Sequence, residues 1–190
     1  MTSNEDQLHN EALLKQFRVE SAEPPTINGR LHIADFCGEM NGRIRIGRGV
    51  VINSSFESNP VAGERTVLLF KGPNALIEIG DRTGISNAMI AAYERVSIGA
   101  DVNLGAGCII MDTDFHPLDL QERIANINIP HRPVTIEDGV FIGTRAIIMK
   151  GVTIGRESVI AAGAVVVKNV PPREVWGGNP ARFIRVLERT

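Results

Sequence analysis

Basic charge and aromatic side chains are both scarce in this sequence. The 190 residues have a formal net charge of −2, and aromatic residues make up 5% of the chain. Proteins that bind nucleic acids present a positive field to the phosphates and often stack bases on aromatic rings. We therefore expect no nucleic-acid partner.

Cysteine and long apolar runs are also lacking. The two cysteines, Cys37 and Cys108, are too few for a disulfide framework, and this favours a reduced, cytoplasmic location. The first 17 residues are acidic and contain no apolar segment of the kind found in signal peptides. No apolar run is long enough to span a bilayer. We predict neither a signal peptide nor membrane insertion.

What the sequence does contain is a period of six residues. A branched aliphatic residue occupies every sixth position in residues 136–170, namely Ile136, Ile142, Ile148, Ile154, Ile160 and Val166. A smaller residue follows four positions after each: Val140, Ala146, Val152, Ser158, Ala164 and Val170. Such a short fixed period predicts stacked coils, with three six-residue units closing one triangular turn.

Glycine often follows the aliphatic residue of each unit. The glycines in this position are Gly47, Gly80, Gly99, Gly105, Gly143 and Gly155. Because glycine tolerates the positive φ found in many tight turns, we interpret these residues as turn formers.

The period also recurs upstream in shifted frames, and two loops interrupt it. The loops span residues 57–65 and 112–132, and the second is the longest departure from the repeat. We therefore assign a parallel β-helix to residues 34–172.

The two ends of the chain depart from the repeat. Residues 1–33 are predicted to form a helix followed by a connector, with Ser3 and Asp6 at capping-box spacing before the helix. Residues 173–190 are predicted to form a tail with a capping helix at about Pro180–Glu188. A cap is expected because an open solenoid end is an aggregation edge.

Four stretches carry a resemblance to a known family, and it covers roughly residues 76–187. They are IGADVNLGAGCIIMDTDFHPLD, VTIEDGVFIGTRAIIMKGVTIG, VIAAGAVVVKNVPP and GGNPARFIR. They resemble the hexapeptide-repeat acyltransferases of the galactoside, maltose and nodulation O-acetyltransferase branch. The resemblance implies an all-β fold built on a left-handed parallel β-helix, a homotrimer, and acetyl-CoA as co-substrate.

The resemblance also implies two catalytic groups. The His-Pro pair at the start of the long loop matches the family's catalytic histidine, so the role of general base falls on His116. An imidazole with a pKa near 6.5 suits proton abstraction at neutral pH. The backbone N–H of Thr144 is expected to bind the developing oxyanion and to lie beside the cofactor.

For coenzyme A, the resemblance points to residues near the C-terminus. The small residues Ala162 and Gly163 would let the pantetheine arm approach, and Lys168 and Arg182 would bind phosphate. Trp176 has two open interpretations, either stacking on adenine or covering the last coil.

The acceptor site is assigned to four residues. Asn87 aligns loosely with an acceptor-binding asparagine of the sugar acetyltransferases. Tyr93 lies close to the position at which those enzymes carry an acidic residue. Asp112 and Asp114 precede His116 and are candidates to orient an acceptor hydroxyl. The expected acceptor is a sugar or saccharide, such as one in surface polysaccharide assembly.

Three other functions stay open at this point. One is N-acetylation of an amino sugar, and another is a non-catalytic scaffold. The third is a metalloenzyme similar to γ-class carbonic anhydrase, which needs three imidazoles that converge on zinc. Because His9, His32 and His131 lie outside the regular repeat, we expect no metal.

Overall fold

Twenty short strands wind into three sheets in the computed structural model, which describes residues 2–38 and 41–188, and all pairings except that of the last strand are parallel. Sheet A contains β1 (Glu20–Ser21), β4 (Arg43–Ile46), β7 (Leu76–Ile79), β10 (Arg95–Ile98), β13 (Val134–Ile136) and β16 (Thr153–Ile154). Sheet B contains β2 (Thr26–Gly29), β5 (Val51–Ser54), β8 (Gly84–Ser86), β11 (Asn103–Leu104), β14 (Phe141–Ile142), β17 (Val159–Ile160), β19 (Glu174–Gly177) and β20 (Arg182–Val186). Sheet C contains β3 (His32–Asp35), β6 (Val67–Phe70), β9 (Met89–Ala92), β12 (Ile109–Met111), β15 (Ile147–Ile148) and β18 (Val165–Val166).

Consecutive strands visit the sheets in the order A, B, C, so each coil adds one strand to each side of a three-sided prism. The coil that starts at β4 pairs in parallel with the coil that starts at β7, and the pattern continues to β18. The predicted parallel β-helix is therefore confirmed.

The aliphatic residues of the repeat form the interior of the prism. Register pairs them into ladders, such as Ile136 with Ile154, Ile142 with Ile160, and Ile148 with Val166. All six are at most 1% exposed. Burying one such side chain contributes roughly 1.5–3 kcal/mol to the stability of the fold. The ladders therefore supply most of the stabilisation that strands this short do not provide by themselves.

Cys108 occupies one of the small interior positions and is fully buried. Burial raises the pKa of its thiol to about 12. Because the thiolate is the reactive form, its population at pH 8 falls roughly 10³-fold relative to a thiol of pKa 9.

We predict that iodoacetamide modifies Cys108 only as the protein unfolds, which peptide mass spectrometry along a urea series would measure. Rapid labelling of Cys108 in the native protein would contradict its buried position.

The six turn glycines have a different role from the one expected, since none of them has a positive φ. Positive φ instead occurs two residues later, for example at Gly49, Arg82 and Asp101. The glycines are required by close coil stacking. A Cβ on Gly105, for instance, would lie 2.7 Å from the backbone oxygen of Ile142.

The N-terminal helix is confirmed as α1 (Asn4–Gln16), with Ser3 as its N-cap accepting a hydrogen bond from the amide of Asp6. Residues 20–33, expected as a connector, instead supply β1, β2 and the start of β3 and so belong to the first coil.

The predicted C-terminal capping helix is wrong. Residues Arg182–Val186 form β20, which pairs antiparallel with β19 and covers the last coil as a hairpin. The apolar residues Phe183 and Ile184 are adjacent, and an extended strand places adjacent side chains on opposite faces. The strand β20 thus covers the end of the prism by pairing with the edge of β19, which would otherwise be exposed. Residues 189–190 of the predicted tail lie outside the described residues.

Both interruptions of the repeat are loops at the edges of the prism. The first connects β5 to β6 after Ser54. The second connects β12 to β13 and carries the short helix α2 (Leu120–Ala125), which is capped by Asp119. Within the described residues, neither helix is long and apolar enough to cross a membrane.

Candidate functional site

The predicted catalytic residue His116 lies on the edge of the prism where sheet C gives way to sheet A, which we call the C–A edge. It follows β12 by five positions, at the start of the loop that leaves the repeat, and it is exposed. Its backbone N–H donates to the carbonyl oxygen of Asp114 at 2.7 Å. This edge therefore presents the imidazole outward from the subunit.

The base of the long loop is closed by hydrogen bonds, which fix where the loop starts. Thr113 and His131 form an antiparallel bridge, and the amide of Arg132 donates to the carbonyl of Asp112 at 2.8 Å. The amide of Asp114 donates to the carbonyl of Pro130 at 3.0 Å. The loop thus leaves and re-enters the coil at one point, and His116 stands beside that point.

Thr144 lies on the edge between sheets B and C, the B–C edge, directly after β14 and Gly143. Among the described residues its backbone N–H has no hydrogen-bond partner. Among the described residues the amides of Ala106 and Ala162, at the same position of the neighbouring coils on this edge, are likewise unpartnered. On the edge between sheets A and B, by contrast, those of Arg48 and Ala100 each donate to an aspartate oxygen at 2.8 Å. The Thr144 N–H is therefore available to an oxyanion.

The residues predicted to bind the cofactor lie toward the C-terminal end of the prism. Ala162 and Gly163 are exposed at the B–C edge one coil beyond Thr144, and a Cβ on Gly163 would meet no atom within 4 Å. Lys168 and Arg182 are exposed, and neither has an acidic partner among the described residues. The two cations are thus free to meet phosphate.

Trp176 lies on β19, paired with Ile160 of the coil below it. The indole packs partly buried against the core, and its Nε1 donates to Glu174 Oε2 at 2.7 Å. This placement agrees with the interpretation in which Trp176 covers the last coil.

Asn87, predicted to bind the acceptor, is 3% exposed on the B–C edge. Its side-chain amide donates to the carbonyl of Ser55 at 3.2 Å and to that of Asn59 at 2.9 Å. The loop after β5 therefore folds over Asn87. Its Oδ1 atom is buried without a hydrogen-bond partner. In this conformation Asn87 anchors the loop and is shielded from a ligand.

Asp112 is fully buried, and its carboxylate accepts from the amides of Tyr93, Glu94 and Arg95 at 2.6–2.7 Å. Burial raises the pKa of this carboxyl, and the three N–H donors oppose the rise. We assign Asp112 a structural role in the turn at residues 93–95, because its oxygens are already occupied.

Tyr93 is partly exposed on the same C–A edge as His116. Its ring stacks on the imidazole of His131, with ring centroids 4.2 Å apart. The Nδ1 atom of His131 lies 2.9 Å from the carbonyl oxygen of Ile129, which orients the imidazole. Tyr93 and His131 thus form a flat aromatic surface near the base of the long loop.

Two residues outside the predicted site lie near it, one on the C–A edge and one on the outer face of sheet B. Lys150 donates from Nζ to Asp114 Oδ2 at 2.6 Å, one coil beyond His116. Phe141 is 48% exposed on the outer face of sheet B, three residues before Thr144. The signal for Phe141 was present in the sequence, because an aromatic residue precedes the interior Ile142 at an outward position. Nothing local pointed to Lys150.

One subunit does not bring the two predicted catalytic groups together. His116 is on the C–A edge and Thr144 is on the B–C edge, and the width of sheet C separates them. About six residues of chain cross that side, or up to roughly 20 Å at 3.3 Å per residue. A site that used both groups would need the C–A edge of one subunit to meet the B–C edge of another.

From β6 to β18 the outer face of sheet C is apolar, whereas β3 adds the exposed His32 at one end. The outward positions from β6 to β18 are Val67, Leu69, Met89, Ala91, Ile109, Met111, Ile147 and Val165. The outer face of sheet A is charged by contrast, with Glu78 bound between Arg45 and Arg95. A broad apolar face on one side indicates a protein contact there.

Comparisons with known proteins agree with this architecture. A family profile described as "Hexapeptide repeat of succinyl-transferase" matches residues 95–111 and 133–168, on either side of the long loop. The fold and the repeat together define the class of hexapeptide-repeat proteins with a left-handed β-helix.

Two curated proteins and one solved structure show which hexapeptide-repeat proteins the chain is similar to. Galactoside O-acetyltransferase from Escherichia coli is 41% identical over 101 residues, covering 53% of this chain and 49% of that protein. Gamma carbonic anhydrase 1 from Arabidopsis thaliana is 36% identical over 168 residues, covering 79% and 59%. A hexapeptide-repeat acetyltransferase from Vibrio cholerae, complexed with acetyl coenzyme A, has a TM-score of 0.60 at 26% identity, covering 97% and 79%.

The chain is similar in sequence and fold to hexapeptide-repeat acetyltransferases. The match spans about half the length of several curated relatives. Within the described residues, no group of three His, Cys, Asp or Glu side chains is placed to hold a metal ion.

Proposed function

We propose that this protein is an acetyl-CoA-dependent O-acetyltransferase that acts on a sugar hydroxyl. His116 removes the proton from the acceptor hydroxyl as its oxygen attacks the thioester carbonyl carbon. The Thr144 N–H donates to the carbonyl oxygen as it becomes an oxyanion. The tetrahedral intermediate then expels coenzyme A, whose sulfur takes the proton from His116. The observation that carries the proposal is the exposed His116 on the C–A edge together with a Thr144 amide on the B–C edge that has no partner among the described residues.

The active unit in this proposal is a homotrimer. Three prisms joined at sheet C bury the apolar face and set each C–A edge against a neighbouring B–C edge. His116 of one subunit then completes a site that contains Thr144 of the next. The same arrangement covers the exposed apolar residues of the long loop, among them Leu118 and Ile124, which are 86% and 71% exposed.

Acetyl-CoA is proposed to run from Thr144 toward the C-terminal end of the seam. In that direction Ala162 and Gly163 leave room for the pantetheine arm. Beyond them Lys168 and Arg182 supply positive charge for phosphate. The Vibrio cholerae relative, described as complexed with acetyl coenzyme A, supports this choice of co-substrate. The solvent-shielded thiol of Cys108 fits a reduced, cytoplasmic setting.

The acceptor is proposed to bind at the opposite end of the seam. Tyr93 offers an aromatic surface there, Asp114 lies beside His116, and Asn87 lies beneath the loop after β5. Oxygen is preferred over nitrogen as the nucleophile because the Escherichia coli relative is named as an O-acetyltransferase.

A second candidate, a zinc enzyme similar to γ-class carbonic anhydrase, is favoured by the Arabidopsis thaliana match. The histidine positions favour the acetyltransferase. His131 is stacked on Tyr93, and the ring of His9 lies 3.2 Å from the carbonyl oxygen of Leu31, far along the chain from His116.

Thiol release from acetyl-CoA, measured with a panel of sugars, nucleotide sugars and amines, tests the proposal. We expect acceptor-dependent thiol release from a metal-free trimer, with molar mass measured by light scattering. Binding of acetyl-CoA is measured on the same samples by calorimetry. A protein without heat of binding and without turnover would be a scaffold. Stoichiometric zinc together with carbon dioxide hydration would support the second candidate instead.

A further inference from the structure

We infer that the ion pair between Lys150 and Asp114 positions His116, so that Lys150 is a positioning residue of the reaction. This inference rests on the proposed function, because it concerns the orientation of the proposed general base. The two residues join the start of the long loop to the next coil of the prism, at the point where the loop presents the imidazole.

The backbone that carries His116 is strained. The His116 amide donates to the carbonyl of Asp114 at 2.7 Å, two residues earlier, and Phe115 between them has φ 60°. This hydrogen bond and the positive φ are the signature of the rare form of γ-turn. A bulky residue rarely adopts such a φ, and the conformation persists only where the surroundings impose it.

Three interactions impose it here. The amide of Phe115 donates to Thr113 Oγ1 at 3.1 Å, and the amide of Asp114 donates to the carbonyl of Pro130 at 3.0 Å. Lys150 Nζ donates to Asp114 Oδ2 at 2.6 Å. The first two bonds lie within the base of the loop. The ion pair is therefore the contact that ties the turn itself to a neighbouring coil.

The pair differs from a solvated surface contact. The side chains of Lys150 and Asp114 are 32% and 20% exposed. Arg82 and Asp101 form a pair of the same 2.6 Å length on the edge between sheets A and B, but they are 60% and 54% exposed. Charge-assisted bonds in shielded positions hold geometry better than exposed pairs, which solvent screens and which contribute little.

Removing either partner tests the inference. Lys150→Met and Asp114→Asn should each lower kcat about 10–100-fold and leave KM for acetyl-CoA within about twofold, because a 1 Å misplacement of a reacting group can cost about 10²-fold. The double variant should match either single variant, since the two residues act as one unit. Lys150→Arg should recover part of kcat, because it retains the charge.

Arg82→Met is the matched control, and it should keep the wild-type kcat. The double variant and Lys150→Arg separate positioning from general destabilisation, and the isosteric Asp114→Asn gives the result if Lys150→Met fails to fold. Wild-type kcat in both single variants, or a change confined to KM, would overturn the inference while leaving the proposed function intact. Unchanged turnover in His116→Ala would overturn the proposed function itself.

Discussion

His116→Ala is expected to lower the rate of acetyl transfer about 10²–10⁴-fold, because it removes the group that takes the acceptor proton. The exposed position of His116 on the C–A edge means that its removal leaves no cavity in the core. Binding of acetyl-CoA should persist, since the residues proposed to leave room for the pantetheine arm, Ala162 and Gly163, lie along the B–C edge. Steady-state thiol release gives kcat, and calorimetry gives the dissociation constant.

His131→Ala is the control for this prediction. It removes an imidazole from the same edge, where its exposed ring stacks on Tyr93 of the proposed acceptor site. We expect its main effect on KM for the acceptor, with kcat retained. Wild-type kcat in His116→Ala, with loss of kcat in His131→Ala, would transfer the role of general base to His131.

Gly80→Ala is expected to destabilise the protein by about 1–3 kcal/mol, the usual cost of overpacking. A Cβ at Gly80 would lie 2.6 Å from the backbone nitrogen of Ala100 in the next coil and against the carbonyl carbon of Gly99. Backbone atoms cannot rotate away, so the coils must separate locally. For a chain of this length the melting temperature should fall by about 2–12 °C, measured by circular dichroism.

Gly84→Ala is the matched control, four residues along the same coil. Its nearest neighbour would be the side-chain oxygen of Asn103 at 3.3 Å, which can move aside, and its φ is negative or extended. We expect a change within about 0.5 kcal/mol. Equal melting temperatures for the two variants would show that the coils do not constrain Gly80.

The repeat itself could be recognised because two side chains in six, one aliphatic and one smaller, must enter a narrow interior. Ile136, Ile142 and Ile148 mark three successive sides of the prism, and their spacing alone fixes the coil. The role of the glycines was misread for a physical reason. Sequence records where a side chain is missing, but it does not distinguish a turn that needs positive φ from a contact that excludes a Cβ.

The ends of the chain were harder to predict than the middle. Phe183, Ile184 and Leu187 fit helical spacing, yet the unpaired edge of β19 was available to pair with an extended segment. That edge exists only in the folded protein, so tertiary pairing overrode local preference. The connector at residues 20–33 was misjudged for a related reason, because its irregular spacing hid strands that gain their order from β4 and β5.

The candidate site could be predicted residue by residue but not as an assembly. The motif around His116 and the turn at Thr144 indicated their chemistry, but their separation onto two edges depends on the winding of the chain. Asn87 and Asp112 have suitable side chains for an acceptor site, yet both are used to hold backbone. The partnership between Lys150 and Asp114 spans 36 residues, so no local pattern reveals it.

The long loop departs and returns at a single corner, clasped by the bridge between Thr113 and His131. The part of the loop beyond the His116 turn, residues 118–129, can therefore be lengthened, trimmed or exchanged while the ladders inside the prism keep their register. Grafting other segments there would leave the proposed base His116 in place and would alter only the part of the loop that extends away from the prism.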